Sequence, residues 1–152
     1  MNKRLSNQNT VIIDASDTIL GRLCSISAKM LLEGKKVIIL NAEKAVISGY
    51  KSSILRRTIS SFKMRSLGSL EKSPKHPRRP EGIIRRGVRG MLPWKKPTGK
   101  KCFKKLSVYI GVPEEFKSCL SQKLPIHPLS SESSRITVGE LAKAIGWNSR
   151  GK

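Results

Sequence analysis

Two uninterrupted apolar runs set the frame of this chain. Val11-Ile12-Ile13 and Val37-Ile38-Ile39-Leu40 contain no polar residue, the pattern of strands buried on both faces. Between them Leu20, Leu23, Cys24, Ser27, Ala28 and Leu31 recur at helical spacing, while Arg22, Lys29 and Glu33 fall off the stripe. Asp14-Ala15-Ser16-Asp17 is rich in N-cap residues and predicts the start of that helix, with Asp14 and Asp17 as capping groups; Gly34 stands where a left-handed C-cap belongs. Strand, helix, strand over roughly thirty residues is a βαβ unit. Such a crossover forces the two strands to pair in parallel.

Downstream, Ala45-Val46-Ile47 is a third small apolar run, ending at Gly49. The pattern from Ser52 to Met64 is helical, with Ile54, Leu55, Thr58, Ile59 and Phe62 on one face. Residues 66–82 read as a loop. Gly68, Pro74, Pro77 and Pro80 interrupt regular structure there, so the segment buries little and is either disordered or laid on a partner. Pro80-Glu81 opens a short helix, with proline near N1 and an acid at the positive dipole end. On its wheel Ile83, Ile84, Val88 and Met91 share one side. Gly99 to Leu106 predicts another short helix with Cys102, Phe103 and Leu106 inward, and Val108-Tyr109-Ile110 a last strand.

Residues 113–134 are polar and read as a linker. Thr137-x-x-Glu140 is a capping box opening a C-terminal helix over 136–147, closed by Gly146, with Trp147 folding back onto Leu141 and Ala142. At 152 residues the chain reads as a single domain, 1–152, with a flexible N-terminus over 1–9.

Charge then narrows the function. Between Lys51 and Lys105 there are 18 Lys+Arg against two acids, Glu71 and Glu81, a net of +16; the flanks carry only +3 and +2 of the total +21. So one-signed a block repels itself, and a polyanion laid against it relieves that repulsion while releasing counterions. A solvated charged face would mix its signs. Here the cations also fall on the outer sides of amphipathic helices, so they point in one direction. Arg56, Arg57 and Lys63 lie on the first basic helix, with Arg65 just beyond it. Lys72, Lys75, Arg78 and Arg79 fill the loop. Arg85, Arg86 and Arg89 face away from the apolar side of the next helix, and Lys95, Lys96, Lys100, Lys101 and Lys104 follow. Gly82, Gly87, Gly90 and Gly99 are interleaved with these cations, which would let the backbone approach a phosphate closely.

Other chemistries find no tools. Gly34-Lys35-Lys36 and Gly99-Lys100-Lys101 lack the first glycine and the hydroxyl of a P-loop, and no G-x-G-x-x-G follows the first strand. His76 and His127 have no Cys or carboxylate at metal-ligand spacing, so neither a metal nor a cofactor is expected. Cys24, Cys102 and Cys119 are odd in number and far apart, as reduced thiols of a cytoplasmic protein are. No apolar stretch is long enough to span a bilayer, and the first ten residues lack a signal-peptide core. Structured RNA read by shape suits arginines spread over loops and short helices. Two other readings stay open on these grounds: a basic chromatin-type DNA protein, and a Rossmann-like nucleotide enzyme that the βαβ opening permits.

Four motifs in order add a resemblance. VIIDASDTILGRL (Val11–Leu23), ILNAEKAVISG (Ile39–Gly49), RGVRGMLPWKKP (Arg86–Pro97) and LSVYIGVP (Leu106–Pro113) are similar to the universal thirteenth protein family of the large ribosomal subunit. The ending Gly146-Trp147 resembles the archaeal and eukaryotic branch. The resemblance covers roughly residues 10–113. It implies an α/β fold, three-layer α/β/α with a mostly parallel four-stranded sheet and basic loop and helix extensions. It implies a non-catalytic role: binding large-subunit ribosomal RNA, helping it fold during assembly, beside neighbouring ribosomal proteins in the cytoplasm, with no membrane and no small-molecule substrate. Gly21-Arg22 match the family's pair at the first helix, and Arg85, Arg89, Gly90, Lys95 and Lys96 match its basic signature. Cys24 stands where the family usually has a small alanine, and the Lys72–Arg79 loop follows the family pattern only loosely.

Overall fold

A computed structural model describes residues 9–69, 71–119 and 134–148, with the side chains of 118 and 119 outside the description. Residues 1–8 of the expected flexible N-terminus (1–9) and most of the expected 113–134 linker therefore lie outside the described residues, as does the side chain of Cys119.

The βαβ opening is present. Strand β1 (Thr10–Asp14) leads through helix α1 (Leu20–Leu32) to β2 (Lys36–Leu40), and the two strands pair in parallel with Val11 opposite Val37 and Ile13 opposite Ile39. Helix α1 buries Leu23, Cys24, Ser27, Ala28 and Leu31, the predicted stripe, and Gly34 takes its left-handed conformation at φ 88°. The predicted cap fails. The N-cap is Ile19, without a side-chain hydrogen bond. Asp14 instead accepts from Ser16 N at 3.0 Å, Ser16 Oγ at 2.8 Å and Asn41 Nδ2 at 2.9 Å, tying the end of β1 to the end of β2. Asp17 adopts φ 56° in the turn before the helix. An Asx-type turn has taken the carboxylate that a cap would have used.

Beyond β2, Asn41 at φ 54° and a 3-10 turn (Ala42–Lys44) swing the chain away from the sheet. That bend explains why the sheet has three strands instead of the expected four. Strand β3 (Val46–Ser48) cannot continue the parallel sheet and pairs antiparallel with β5 (Arg135–Thr137). The third parallel strand is β4 (Leu106–Val108), beside β2, giving the order β1-β2-β4. It starts two residues before the predicted Val108–Ile110, although Tyr109 N still donates to Ile39 O at 2.9 Å.

Two basic helices follow β3: α2 (Lys51–Lys63) and α3 (Pro80–Met91). Helix α2 has no fully buried residue, whereas α3 sinks Ile84 and Val88 to zero exposure against α1. Met91, predicted on the same apolar side, is 47% exposed instead. Helix α4 (Pro97–Lys104) buries Cys102 and leaves Phe103 half-buried; Leu106 belongs to β4. The main core joins one face of the sheet (Ile13, Val37, Ile39, Leu106, Val108) to α1 and α3. On the opposite face Ile38 and Leu40 pack with Phe116. Phe116 lies in a 3-10 helix (Glu114–Cys119), so the expected linker begins with an ordered piece that closes the sheet.

At the C-terminal end Thr137 Oγ1 accepts from Glu140 N at 3.1 Å, capping α5 (Val138–Ala144). This helix begins two residues later than expected because 135–137 are in β5. Trp147 N donates to Ala142 O and Gly146 N to Lys143 O, with Gly146 at φ 95°, a Schellman closure.

Three of the four interleaved glycines are required by this packing. A Cβ at Gly82 would sit 2.8 Å from Pro77 Cβ, one at Gly87 would sit 2.8 Å from Cys24 Sγ, and one at Gly99 would overlap the Pro93 backbone. Around Gly90 there is open space. The Cys24 thiol is pushed up to about 11 by burial, so it stays protonated and inert at the contact.

Gly87→Ala should therefore destabilise the protein, although alanine is the better helix former by about 1 kcal/mol. Removing the opposing sulfur with Cys24→Ala should restore it. Urea unfolding of the two single variants and the double variant should give a favourable coupling of about 1–2 kcal/mol; additive losses would mean that the helices already have room to separate.

Candidate nucleic-acid interface

All the cations singled out in the sequence are solvent exposed: Arg22 on the first turn of α1, Arg56, Arg57 and Lys63 on α2, Arg65 beyond it, and those of the loop, α3 and α4. Among the described residues only Arg79 of this set has a carboxylate partner, Glu81, at 2.9 Å. The rest carry uncompensated charge. Nearby Lys105 is different. Its Nζ donates to Gly34 O at 2.9 Å, closing the end of α1, so this member of the basic block does structural work.

Helix α3 organises the centre of the surface. Ile84 and Val88 point inward, and positions one, two and five after Ile84 fall on the other side; Arg85, Arg86 and Arg89 therefore project to solvent from a buried base. Aromatic rings hold two of them in place. Arg85 Cζ lies 5.2 Å from the centre of the Phe103 ring, and Arg89 Cζ lies 5.4 Å from that of Trp94. The two rings meet edge to face at 5.2 Å. Each cation–π contact contributes about 0.5–1 kcal/mol at an exposed site and restricts a side chain that would otherwise sample many rotamers. Arg86 is held differently: its Nη1 donates to Lys75 O at 2.9 Å.

That bond helps to fasten the 66–82 segment, as does the tilted ring contact of Phe62 with His76 at 5.3 Å; within the segment Ser66 N donates to Ser73 Oγ at 3.0 Å. The segment lacks regular structure up to α3, as predicted. Its described residues up to 79 are exposed or half-buried, as expected, and at Lys75 and His76 it contacts the protein itself. Between it and α3 runs a cleft of about 410 Å³, lined by Lys75, His76, Pro77, Gly82, Arg85, Arg86, Arg89 and Phe103. Four cations converge there.

Other members of the predicted set are dispersed. Arg78 lies over Phe62 at 5.5 Å, and its Nη1 would be 3.2 Å from a Cβ at Gly146, so its charge sits at the negative end of α5. With Lys63 it lines a separate hollow between α2 and the end of α5. Lys95, Lys96, Lys100, Lys101 and Lys104 are exposed on the turn before α4 and on α4 itself. Arg22, Arg56 and Arg57 do not line the cleft.

Sequence reasoning missed the aromatic plates. Phe103 does pack against the main core, as expected, but its place under Arg85 and the role of Trp94 carry no periodic signal. The available signal was scarcity: in a chain with 5% aromatic residues, two rings flank the arginine helix.

No group of three or more potential metal ligands is found among the described residues, and no described helix is long and apolar enough to cross a membrane. At the carboxyl ends of β1 and β2, where open α/β sheets hold ligands, Ala15, Ala42 and Ala45 are fully buried and Asp14 is bonded to Asn41; beyond them a hollow of about 550 Å³ opens, lined by Asp17, Glu43, Lys44, Gly111 and α5.

Comparison with known proteins matches residues 8–115 to the family model of ribosomal protein L13. Large ribosomal subunit protein uL13 of Archaeoglobus fulgidus is 41% identical over 148 residues, covering 95% of this chain and 92% of its own. Its counterpart in Methanopyrus kandleri is 36% identical over 155 residues, covering 98% and 94%. That of Sulfurisphaera tokodaii is 40% identical over 142 residues, covering 92% and 97%.

Because the arginines of α3 are exposed while its apolar side is buried, fold and surface should separate experimentally. Replacing Arg85, Arg86 and Arg89 together with Ala should change stability by less than about 1 kcal/mol, since the lost cation–π contacts are offset by relief of mutual repulsion. Ile84→Ala should cost about 2–5 kcal/mol. Chemical unfolding measures both.

Proposed function

This chain belongs to the ribosomal protein L13 family, and from that membership and its basic face we propose that it binds large-subunit ribosomal RNA and helps that RNA fold during assembly. Membership makes it a structural, non-enzymatic ribosomal protein. One observation carries the finer reading: on α3 three arginines stand unpaired by any carboxylate among the described residues, on a helix whose other side is fixed in the core. Such a surface meets phosphates with little ordering cost, because its base is already rigid. A guanidinium fork grips two phosphate oxygens at once, which a lysine ammonium cannot do. The lysines of the 95–104 stretch add charge with less geometric demand.

Its cellular place under this reading is the ribosome, beside other large-subunit proteins. In a sucrose gradient of cell extract the protein should travel with the large subunit. Migration at the top of the gradient, or with chromatin, would contradict the proposal.

Binding of the purified protein to large-subunit RNA should weaken steeply with salt. Arg85→Ala, Arg86→Ala and Arg89→Ala combined should reduce the salt slope by about two to three, one phosphate contact per arginine. An unchanged slope would mean that α3 does not touch the RNA backbone. Tighter binding to duplex DNA than to the RNA would also count against it.

A further inference from the structure

The cleft between the 75–77 segment and α3 has more than charge. Its volume of about 410 Å³ falls in the range of small-ligand sites, roughly 300–1,000 Å³. It also combines two chemistries that a phosphate alone does not need. Lys75 and Arg86 stand at one side, joined through the hydrogen bond from Arg86 Nη1 to Lys75 O. At the other side Arg85 lies over the Phe103 ring, and that ring is braced edge-on by Trp94. Arg89, the fourth cation of the lining, is set over Trp94.

We propose that this cleft receives one extruded nucleotide of the bound RNA. The base packs against the guanidinium of Arg85 and the Phe103 ring behind it, and the adjoining phosphate is held by Arg86 and Lys75. The inference rests on the RNA-binding reading above and narrows it, from a surface that follows a backbone to a pocket that takes an unstacked base. Guanidinium planes and aromatic rings are both platforms for unpaired bases, and stacking of this kind contributes about 1–3 kcal/mol per base. The ring behind Arg85 steadies the guanidinium for a phosphate, and it also offers a flat apolar face that a phosphate does not use and a base does. Pro77, also in the lining, packs so closely on Gly82 that a Cβ there would collide with it, which fixes the loop against α3 at this point.

The test uses the full chain and two small probes, AMP and ribose 5-phosphate, followed by NMR shifts of the arginine side-chain N–H groups at low salt. The probes share sugar and phosphate and differ in the base. AMP should bind about tenfold more tightly, a modest share of what stacking supplies. Large-subunit RNA should displace it. Phe103→Leu should erase the difference between the probes, and Phe103→Tyr, which keeps a ring, should preserve it. Thermal unfolding of both variants checks that the fold is intact. Equal affinity for the two probes would reduce the cleft to a phosphate site and overturn the inference. So would survival of the AMP preference in Phe103→Leu. Failure with AMP in a protein that still binds large-subunit RNA would sink this inference alone; loss of RNA binding altogether would sink the reading beneath it.

Discussion

Ile84 and Val88 lie fully buried against α1, and Gly87 between them lets the helices approach until the Cys24 sulfur fills the place of a side chain. That contact between α1 and α3 supports the rest of the basic face. It fixes the azimuth of α3, and the azimuth aims Arg85, Arg86 and Arg89 outward. Once α3 is fixed, Phe103 and Trp94 can lie beneath two of the guanidinium groups, and Arg86 can tether the loop through Lys75 O. The positive surface is thus a consequence of one apolar packing arrangement.

The sheet contributes from further back. Parallel pairing of β1, β2 and β4 places α1 on one face, and α1 in turn is the platform for α3. The corner made by Asp14, Ser16 and Asn41 ties β1 to β2 at the edge where a nucleotide enzyme of similar topology would keep its ligand. The cations have moved instead to the outer helices. Self-repulsion among them is tolerated because they are exposed and screened, and because arginines over aromatic rings meet the negative faces of those rings.

The βαβ unit, the α1 stripe, the amphipathic α3 and the closure at Gly146 were legible because each depends on local periodicity or on a residue with special backbone freedom. What the sequence concealed depends on contacts between distant segments. A third strand was visible at Val46, but its partner was not: Asn41 in the left-handed region turns the chain away, and β5 arrives from ninety residues or so later. Asp14 reads as a helix cap because its local alternative, the turn to Ser16, gives no distinct signal, and its further bond from Asn41 comes from 27 residues away. Glycines near arginines suggested phosphate approach, yet Gly82, Gly87 and Gly99 are small because Pro77, Cys24 and Pro93 lie against them. Of the candidate site, the charge and its direction were readable. The grouping of Lys75 with α3 and the aromatic backing of Arg85 were not, since a proline-spaced loop gives no periodic signal of where it lies.

The central claim is that the arginine face of α3, with its attached loop, is the surface that meets large-subunit RNA. Ultraviolet cross-linking of intact large subunits, with the attached peptides identified by mass spectrometry, tests it most directly. The account predicts that cross-links concentrate in residues 75–104, with Phe103 or Trp94 among the attached side chains. Cross-links confined to α5 and the β3–β5 pair, leaving 75–104 unmodified, would contradict it.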